Sequence, residues 1–169
     1  MTWLIIIFVI IIIYIVFGLL LPAKVSMLAS RNMSGEAEDI YKMIEDFNNW
    51  KEWAIWNEDE TMDITISNQT EGIGAWYRWK SKIREIKDGL IILTDAQPNK
   101  KLRYEFYYSK SKKGEIIFNI EQKKTGTFVT CTITIANKRK IFSRYFLILI
   151  KQSILNNIEE VLLKIDKRV

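Results

Sequence analysis

The sequence contains no histidine and only one cysteine among its 169 residues. The absence of histidine removes the commonest general base and the commonest metal ligand. The single cysteine, Cys131, cannot form an intramolecular disulfide, which fits a reducing compartment. Because no histidine is present to activate its thiol, we expect a buried structural cysteine and not a nucleophile. The sequence therefore indicates no catalytic residue, no metal site and no cofactor.

Charge is missing from the N-terminal stretch. Residues 3–21 form an unbroken apolar run, WLIIIFVIIIIYIVFGLLL. As a helix this run would span about 28 Å, close to the hydrocarbon thickness of a bilayer. We interpret residues 1–22 as a transmembrane anchor that contacts the lipid bilayer through residues 3–21, and residues 23–169 as one domain. A cleaved signal peptide and a buried core helix are the two alternatives. A signal peptide would need a basic region, which is missing here, and a better cleavage site than residues 21–24. A core helix rarely stays apolar on all faces.

The basic residues predict the orientation of the chain. Lys24 and Arg31 follow the apolar run and no lysine or arginine precedes it, so the positive-inside rule places the C-terminal domain in the cytoplasm. The domain carries the whole net charge of +5, which suits an anionic lipid surface. Acidic residues are mixed with the basic ones, which disfavours nucleic acid as a partner. Four basic residues are candidates for contact with the membrane surface, with ordinary solvation as the alternative: Lys138, Arg139, Lys140 and Arg144.

The first part of the domain changes its periodicity once. Residues 24–33 alternate between apolar and polar side chains, which predicts a strand. Ser34 is predicted to cap a following helix, because acidic residues occupy its first turn and Ile40, Ile44 and Phe47 recur on one face. We expect this helix to end just after Phe47, ahead of a tryptophan cluster.

From residue 61 the apolar period is two, in short segments separated by turn residues. The clearest segment is residues 128–135. Such spacing is typical of an antiparallel meander. Residues 141–168 return to helical spacing and predict a long C-terminal helix. The predicted fold is α+β: a curved antiparallel sheet of six to seven strands around that helix, preceded by one transmembrane helix.

Four short motifs resemble those of the SRPBCC superfamily, the helix-grip group of START lipid-binding domains, polyketide cyclase/dehydrase-like proteins and the birch-pollen allergen family. In chain order they are Asp46-x-x-x-Trp50-x-x-Trp53, Gly72-x-Gly74 followed by Trp76 and Trp79, the turn Gln97-Pro98-Asn99, and Gly126-Thr-Phe-Val-Thr130. The resemblance covers about residues 24–167. It implies a helix-grip fold with a hydrophobic cavity between the sheet and the long helix.

The resemblance and the anchor together suggest a membrane-anchored binding protein for a lipid or another hydrophobic small molecule. Plain core packing is the alternative role for the residues that we name as cavity candidates: Trp50, Trp53, Trp56, Trp76, Trp79, Tyr104, Phe106, Ile150 and Ile154. A second hypothesis is a non-enzymatic accessory subunit that docks onto a membrane complex. A third is a cyclase or dehydratase, which would need a polar pair such as Tyr104 with Glu105 or Arg103.

Overall fold

The computed structural model of the chain describes residues 2–54, 62–81, 88–108, 111–136 and 141–169. Trp56, Lys138, Arg139 and Lys140, which the sequence analysis names, lie outside these residues. The elements in chain order are α1 (Thr2–Leu20), β1 (Lys24–Met33), α2 (Ala37–Glu45), α3 (Trp50–Trp53), β2 (Met62–Ile66), β3 (Trp76–Ser81), β4 (Gly89–Gln97), β5 (Lys101–Tyr108), β6 (Ser111–Lys123), β7 (Gly126–Ala136) and α4 (Ile141–Asp166).

The seven strands form one antiparallel sheet in the order β1-β7-β6-β5-β4-β3-β2. Strands β2 to β7 follow each other as neighbours, and β1 closes the sheet against β7, with Lys24 opposite Ala136 and Met33 opposite Thr127. Alternation along each strand sends every second side chain to the covered face, as Val129 and Cys131 in β7 illustrate. The predicted α+β fold is confirmed, with seven strands and a long C-terminal helix.

Helix α4 lies along the covered face of the sheet and is fixed at its C-terminal end. Arg31 Nε donates to Asp166 Oδ2 at 2.7 Å, and the Ser34 backbone N–H donates to Asp166 Oδ1 at 3.2 Å. The buried side chains of its C-terminal half belong to the core: Ile158, Val161, Leu162 and Ile165. These residues recur at helical spacing, which is why this half of the helix packs on the sheet.

The prediction that Ser34 caps helix α2 is wrong. The helix begins at Ala37, and its cap position, Glu36, makes no side-chain capping hydrogen bond. The Ala37 N–H instead donates to Gln122 Oε1 on β6 at 2.8 Å. A helix start leaves backbone donors without helical partners, and here a side chain from a distant strand accepts one of them. Ser34 is instead held by the end of α4.

The C-terminal end of α2 is capped by three aromatic side chains. Trp50 Nε1 and the Tyr104 hydroxyl both donate to the Ile44 carbonyl at 2.8 Å. Trp53 Nε1 donates to the Met43 carbonyl at 3.1 Å. The last carbonyls of a helix have no partner within the helix, and these three bonds satisfy two of them inside the core. The spacing of Trp50 and Trp53 therefore lets both indoles bond carbonyls at the C-terminal end of α2.

Helix α1 is exposed along its length, with only Gly18 buried, so it is not a core helix of this domain. It is the one helix among the described residues that is long and apolar enough to cross a membrane. Its C-terminal end meets α4. Arg144 Nη1 donates to the carbonyls of Gly18, Leu19 and Leu21 at 3.3, 3.0 and 3.1 Å. These bonds join α1 to the domain through backbone groups that the helix end leaves open.

We expect Tyr104→Phe to lower the free energy of unfolding by about 1 kcal/mol, because it removes one of two buried hydrogen bonds to the Ile44 carbonyl. Chemical denaturation of the full chain in a mild detergent measures the change. The matched control is Tyr107→Phe, whose hydroxyl bonds Glu105 near the surface and should cost less than about 0.5 kcal/mol. Equal losses in the two variants would contradict the assigned role of Tyr104.

Candidate functional site

The sheet and α4 do not close completely on each other, and an apolar cavity with two lobes remains between them. The lobe that we call the outer lobe has a volume of about 230 Å³. Its lining residues are almost all aliphatic or aromatic: Met62, Trp79, Ile91, Phe106, Tyr108, Ile116, Ile133, Ile135 and Ile154. Six of the seven described strands, β2 to β7, and α4 contribute to this wall, so the lobe is a feature of the whole sheet.

A smaller inner lobe of about 130 Å³ lies under α3 and the middle of α4. It is lined by Trp50, Trp53, Ile116, Phe118, Cys131, Ile133, Ile154, Asn157, Ile158 and Val161. Ile116, Ile133 and Ile154 line both lobes, so the lobes are neighbours separated by these three side chains. Ile154 is the one residue of α4 that both lobes share.

Few polar groups face the cavity. The indole N–H groups of Trp50 and Trp53 donate to α2 carbonyls, so these rings contribute apolar surface to the inner lobe. Burial raises the pKa of the Tyr108 phenol and of the Cys131 thiol, so both groups stay neutral at physiological pH. A neutral, mostly apolar cavity accommodates apolar groups and penalises charged ones.

Trp79 forms one wall of the outer lobe, and the position of its ring depends on its cross-strand partner, Gly89. Trp79 lies opposite Gly89 in the β3–β4 register, and its ring is tilted at 73° to that of Tyr108 with 5.5 Å between centroids. A Cβ at Gly89 would fall 1.8 Å from the Trp79 ring. The missing side chain at Gly89 therefore leaves the space in which the indole lies flat against the sheet.

The structure brings five of the predicted cavity residues to the cavity. Trp79 and Phe106 line the outer lobe, Trp50 and Trp53 line the inner lobe, and Ile154 lines both. Trp50 and Trp53 are also 1% exposed core residues, so the two roles that the sequence left open for them, cavity wall and core packing, coincide.

Three predicted residues lie elsewhere. Trp76 is on the opposite face of β3 from Trp79, under Arg78, whose guanidinium carbon is 5.0 Å from the ring centroid. Residues three apart on a strand cannot share a face, which is the reason for the difference. Tyr104 is fully buried beneath α2, and Ile150 is a half-buried residue of α4 beside neither lobe. Trp56 lies outside the described residues.

Apart from Ile154, the aliphatic part of the lining was not singled out from the sequence. Ile91, Ile116 and Ile133 occupy inward positions of β4, β6 and β7. Their alternation was visible in the sequence, but it marks core and cavity positions alike. The register that sets Ile91 opposite Phe106, and Trp79 opposite Gly89, selects the level of the sheet at which the cavity lies.

The polar pairs that a cyclase or dehydratase would need do not form around Tyr104. Its hydroxyl bonds the Ile44 carbonyl, while Glu105 accepts a hydrogen bond from the Tyr107 hydroxyl at 2.7 Å. Burial raises the pKa of Tyr104 well above its ordinary value, so the phenol remains protonated. Among the described residues, no group of three or more cysteine and acidic side chains is placed to hold a metal ion.

Arg144 is the one predicted membrane-surface residue that the structure describes. It lies at the C-terminal end of α1, where its guanidinium bonds three backbone carbonyls. Lys138, Arg139 and Lys140 lie outside the described residues.

No model of a protein family and no curated protein matches the chain. Solved structures do. A protein of unknown function from Staphylococcus aureus is similar with a TM-score of 0.64 at 12% identity, over 86% of this chain and 95% of that one. The KanY protein is similar with a TM-score of 0.62 at 13% identity, over 87% and 98% of the two chains. An uncharacterized protein from Rhizobium leguminosarum has a TM-score of 0.60 at 12% identity, over 85% and 92%. At this identity the likeness shows the fold alone, an antiparallel sheet and helix consistent with the helix-grip type.

We expect Gly89→Ala to displace the Trp79 ring and to destabilise the domain by about 1–3 kcal/mol, because the added methyl group overlaps the indole. Chemical denaturation measures the loss. A double-mutant cycle with Trp79→Leu is the control, since removal of the ring should abolish most of the cost of the alanine. Additive losses in the double variant would contradict the contact.

Proposed function

We propose that the chain is a membrane-anchored member of the SRPBCC superfamily that binds a lipid or another hydrophobic small molecule in the cavity between the sheet and α4. The observation that carries the proposal is the cavity itself. Its walls are apolar on both sides, and the indole N–H groups of Trp50 and Trp53, which border the inner lobe, are already bonded to α2. The fold and the four sequence motifs support the assignment to the superfamily.

The size of the cavity favours a slender ligand. The outer lobe, at about 230 Å³, is smaller than the usual range of ligand pockets, about 300–1,000 Å³. One acyl chain or a small ring system suits such a volume better than a complete two-chain lipid. Ile116, Ile133 and Ile154 separate the two lobes, and rotation of these side chains would extend the space into the inner lobe.

Because the domain is anchored to a membrane, the relevant quantity is the free energy of ligand transfer from the bilayer to the cavity. Relative to water, burial of each CH₂ group is favourable by about 0.8 kcal/mol. A membrane lipid is already removed from water, and its tails lie in surroundings as apolar as the isoleucine side chains of the cavity. Transfer from bilayer to cavity is therefore nearly balanced, and we infer reversible exchange whose selectivity comes from shape and from the few polar groups, Tyr108 and Asn157.

The division of the chain follows from the same proposal. Residues 1–22 form the transmembrane anchor and residues 23–169 the binding domain, on the cytoplasmic side. The exposed apolar surface of α1 and the absence of charge in residues 3–21 support membrane insertion. Anchoring raises the local concentration of any membrane-resident ligand at the cavity.

Photo-crosslinking in vesicles tests the binding proposal. The full chain is reconstituted with phosphatidylcholine that carries a diazirine near the end of one acyl chain, and labelled peptides are mapped after irradiation. We expect labels on inward residues of the sheet, Ile91, Ile116 and Ile133, which lipid outside the domain does not reach. Ile154→Trp fills both lobes and should reduce this labelling by about fivefold or more.

The matched control is Leu28→Trp, which adds the same ring to an exposed position of β1, where the side chain is 59% exposed. It should leave the sheet labelling unchanged, and labels on α1 serve as the internal standard for both variants. A folded wild-type chain with labels on α1 and none on the sheet would overturn the binding proposal and direct attention to an accessory-subunit role.

Thiol labelling in intact cells tests the orientation. Ile73 is 61% exposed at the end of the sheet remote from α1, whereas Cys131 is 2% exposed and does not compete for the reagent. We expect Ile73→Cys to resist a membrane-impermeant maleimide in intact cells and to react after lysis, because the domain lies in the cytoplasm. Labelling of this variant before lysis would place the domain on the other side of the membrane.

A further inference from the structure

The start of α4 overlaps α1 along the helix axis. The Tyr145 ring stacks on the Tyr14 ring, with centroids 4.5 Å apart and planes inclined by 8°. The Tyr145 hydroxyl also donates to the Tyr14 backbone carbonyl at 2.6 Å. With the bonds from Arg144 to the end of α1, these contacts fix the first turns of α4 beside the last two turns of the apolar helix.

The contact between Tyr145 and Tyr14 lies well before the end of the apolar run, as measured along the α1 axis. Tyr14 precedes Leu21 by seven positions, hence by about 10 Å along a helix axis. The Tyr145 ring, which stacks on Tyr14, therefore lies about 10 Å inside the level at which the apolar run ends. When α1 spans a bilayer, the first turns of α4 therefore reach the same depth as the C-terminal third of α1.

The side chains that follow Tyr145 are uncharged and apolar, as a position inside the bilayer requires. Residues 145–150 contain no charge. Leu147 is 6% exposed and packs inward, while Phe146, Ile148 and Leu149 are 59%, 43% and 78% exposed. Exposed apolar side chains of this density need a partner surface. They continue the apolar surface of α1, and their helical backbone already satisfies its own hydrogen bonds, as lipid surroundings require.

We infer that residues 145–150 of α4 insert into the bilayer beside α1 as a second membrane contact, with lipid acyl chains against Phe146, Ile148 and Leu149. The inference rests on the membrane anchorage proposed above. Arg144 marks the boundary of the inserted segment on one side, where its guanidinium bonds the carbonyls of α1. Lys151 marks it on the other side as the next charged residue of α4.

The insertion would bring the bilayer to the end of the domain that holds the outer lobe. The outer lobe lies at the end of the sheet nearest α1, because Ile135 is next to Ala136, which pairs with Lys24 immediately after the anchor. Tyr108 and Met62 lie at the same end of β5 and β2. The outer lobe and residues 145–150 therefore lie at the same end of the domain.

Fluorescence quenching of three single-site variants tests the insertion in full-length chain reconstituted into phosphatidylcholine vesicles. Leu149→Cys, Ile10→Cys and Ile73→Cys are each labelled with an environment-sensitive fluorophore, and the wild-type chain with its buried Cys131 is the blank. The two quenchers are a phosphatidylcholine with a nitroxide on its acyl chain and aqueous iodide. The position of Ile73, remote from α1 and 61% exposed, makes it the matched apolar control for Leu149.

We expect the labels at Leu149 and Ile10 to lose most of their emission to the nitroxide lipid and little to iodide, with the reverse at Ile73. A second variant on the same face, Phe146→Cys, should behave like Leu149→Cys. If Ile10 is in lipid while both α4 labels are quenched by iodide like Ile73, the insertion is overturned and the anchorage stands. The same holds if the α4 labels escape both quenchers, which indicates cover by a protein. If Ile10 itself is quenched by iodide, anchorage and insertion both fail.

Discussion

The end of helix α2 is the point on which the interior depends. The buried carbonyl of Ile44 and the partly buried carbonyl of Met43 would lose these partners if Trp50, Trp53 and Tyr104 did not donate to them. An unsatisfied buried carbonyl costs about 1–3 kcal/mol, a large part of the net stability of a domain of this size. The same three bonds fix the two indoles and the phenol, with Trp50 edge to face against Tyr104 and tilted against Trp53, and with Phe47 and Tyr77 packed among them. The aromatic cluster is thus fixed by polar bonds at its rim.

This arrangement explains why a cavity persists beside so many large side chains. Because Trp50 and Trp53 are held by α2, they cannot move toward α4 to fill the space in front of Cys131 and Phe118. Interiors are otherwise packed to the density of organic crystals, so a retained void indicates constraint on its walls. On the other side Trp79 is held flat over Gly89. The cavity lies between two sets of rings that are fixed independently of any occupant.

Local pattern predicted the elements well and the site only in part. Alternation is local, so the strands and the buried face of α4 followed from it. Trp76 and Trp79 were both named as cavity candidates, although an odd separation on a strand sends the two rings to opposite faces. Gln122 replaces Ser34 as the cap of α2 from 85 residues beyond Ala37, and Tyr145 meets Tyr14 across 131 positions. Pairings at such separation leave no periodic trace, so only the assembled fold reveals them.

The pairing of β1 with the last strand has a consequence for synthesis. Ser26 meets Thr134 across 108 positions, so β1 leaves the ribosome long before its partner exists. At about 5–20 residues per second, it waits on the order of 5–20 s. During that interval its backbone edge is open, directly after the apolar helix α1. The charged side chain of Lys24 is the kind that discourages association at an open edge, so β1 carries one such guard at its start while β7 is still to be made.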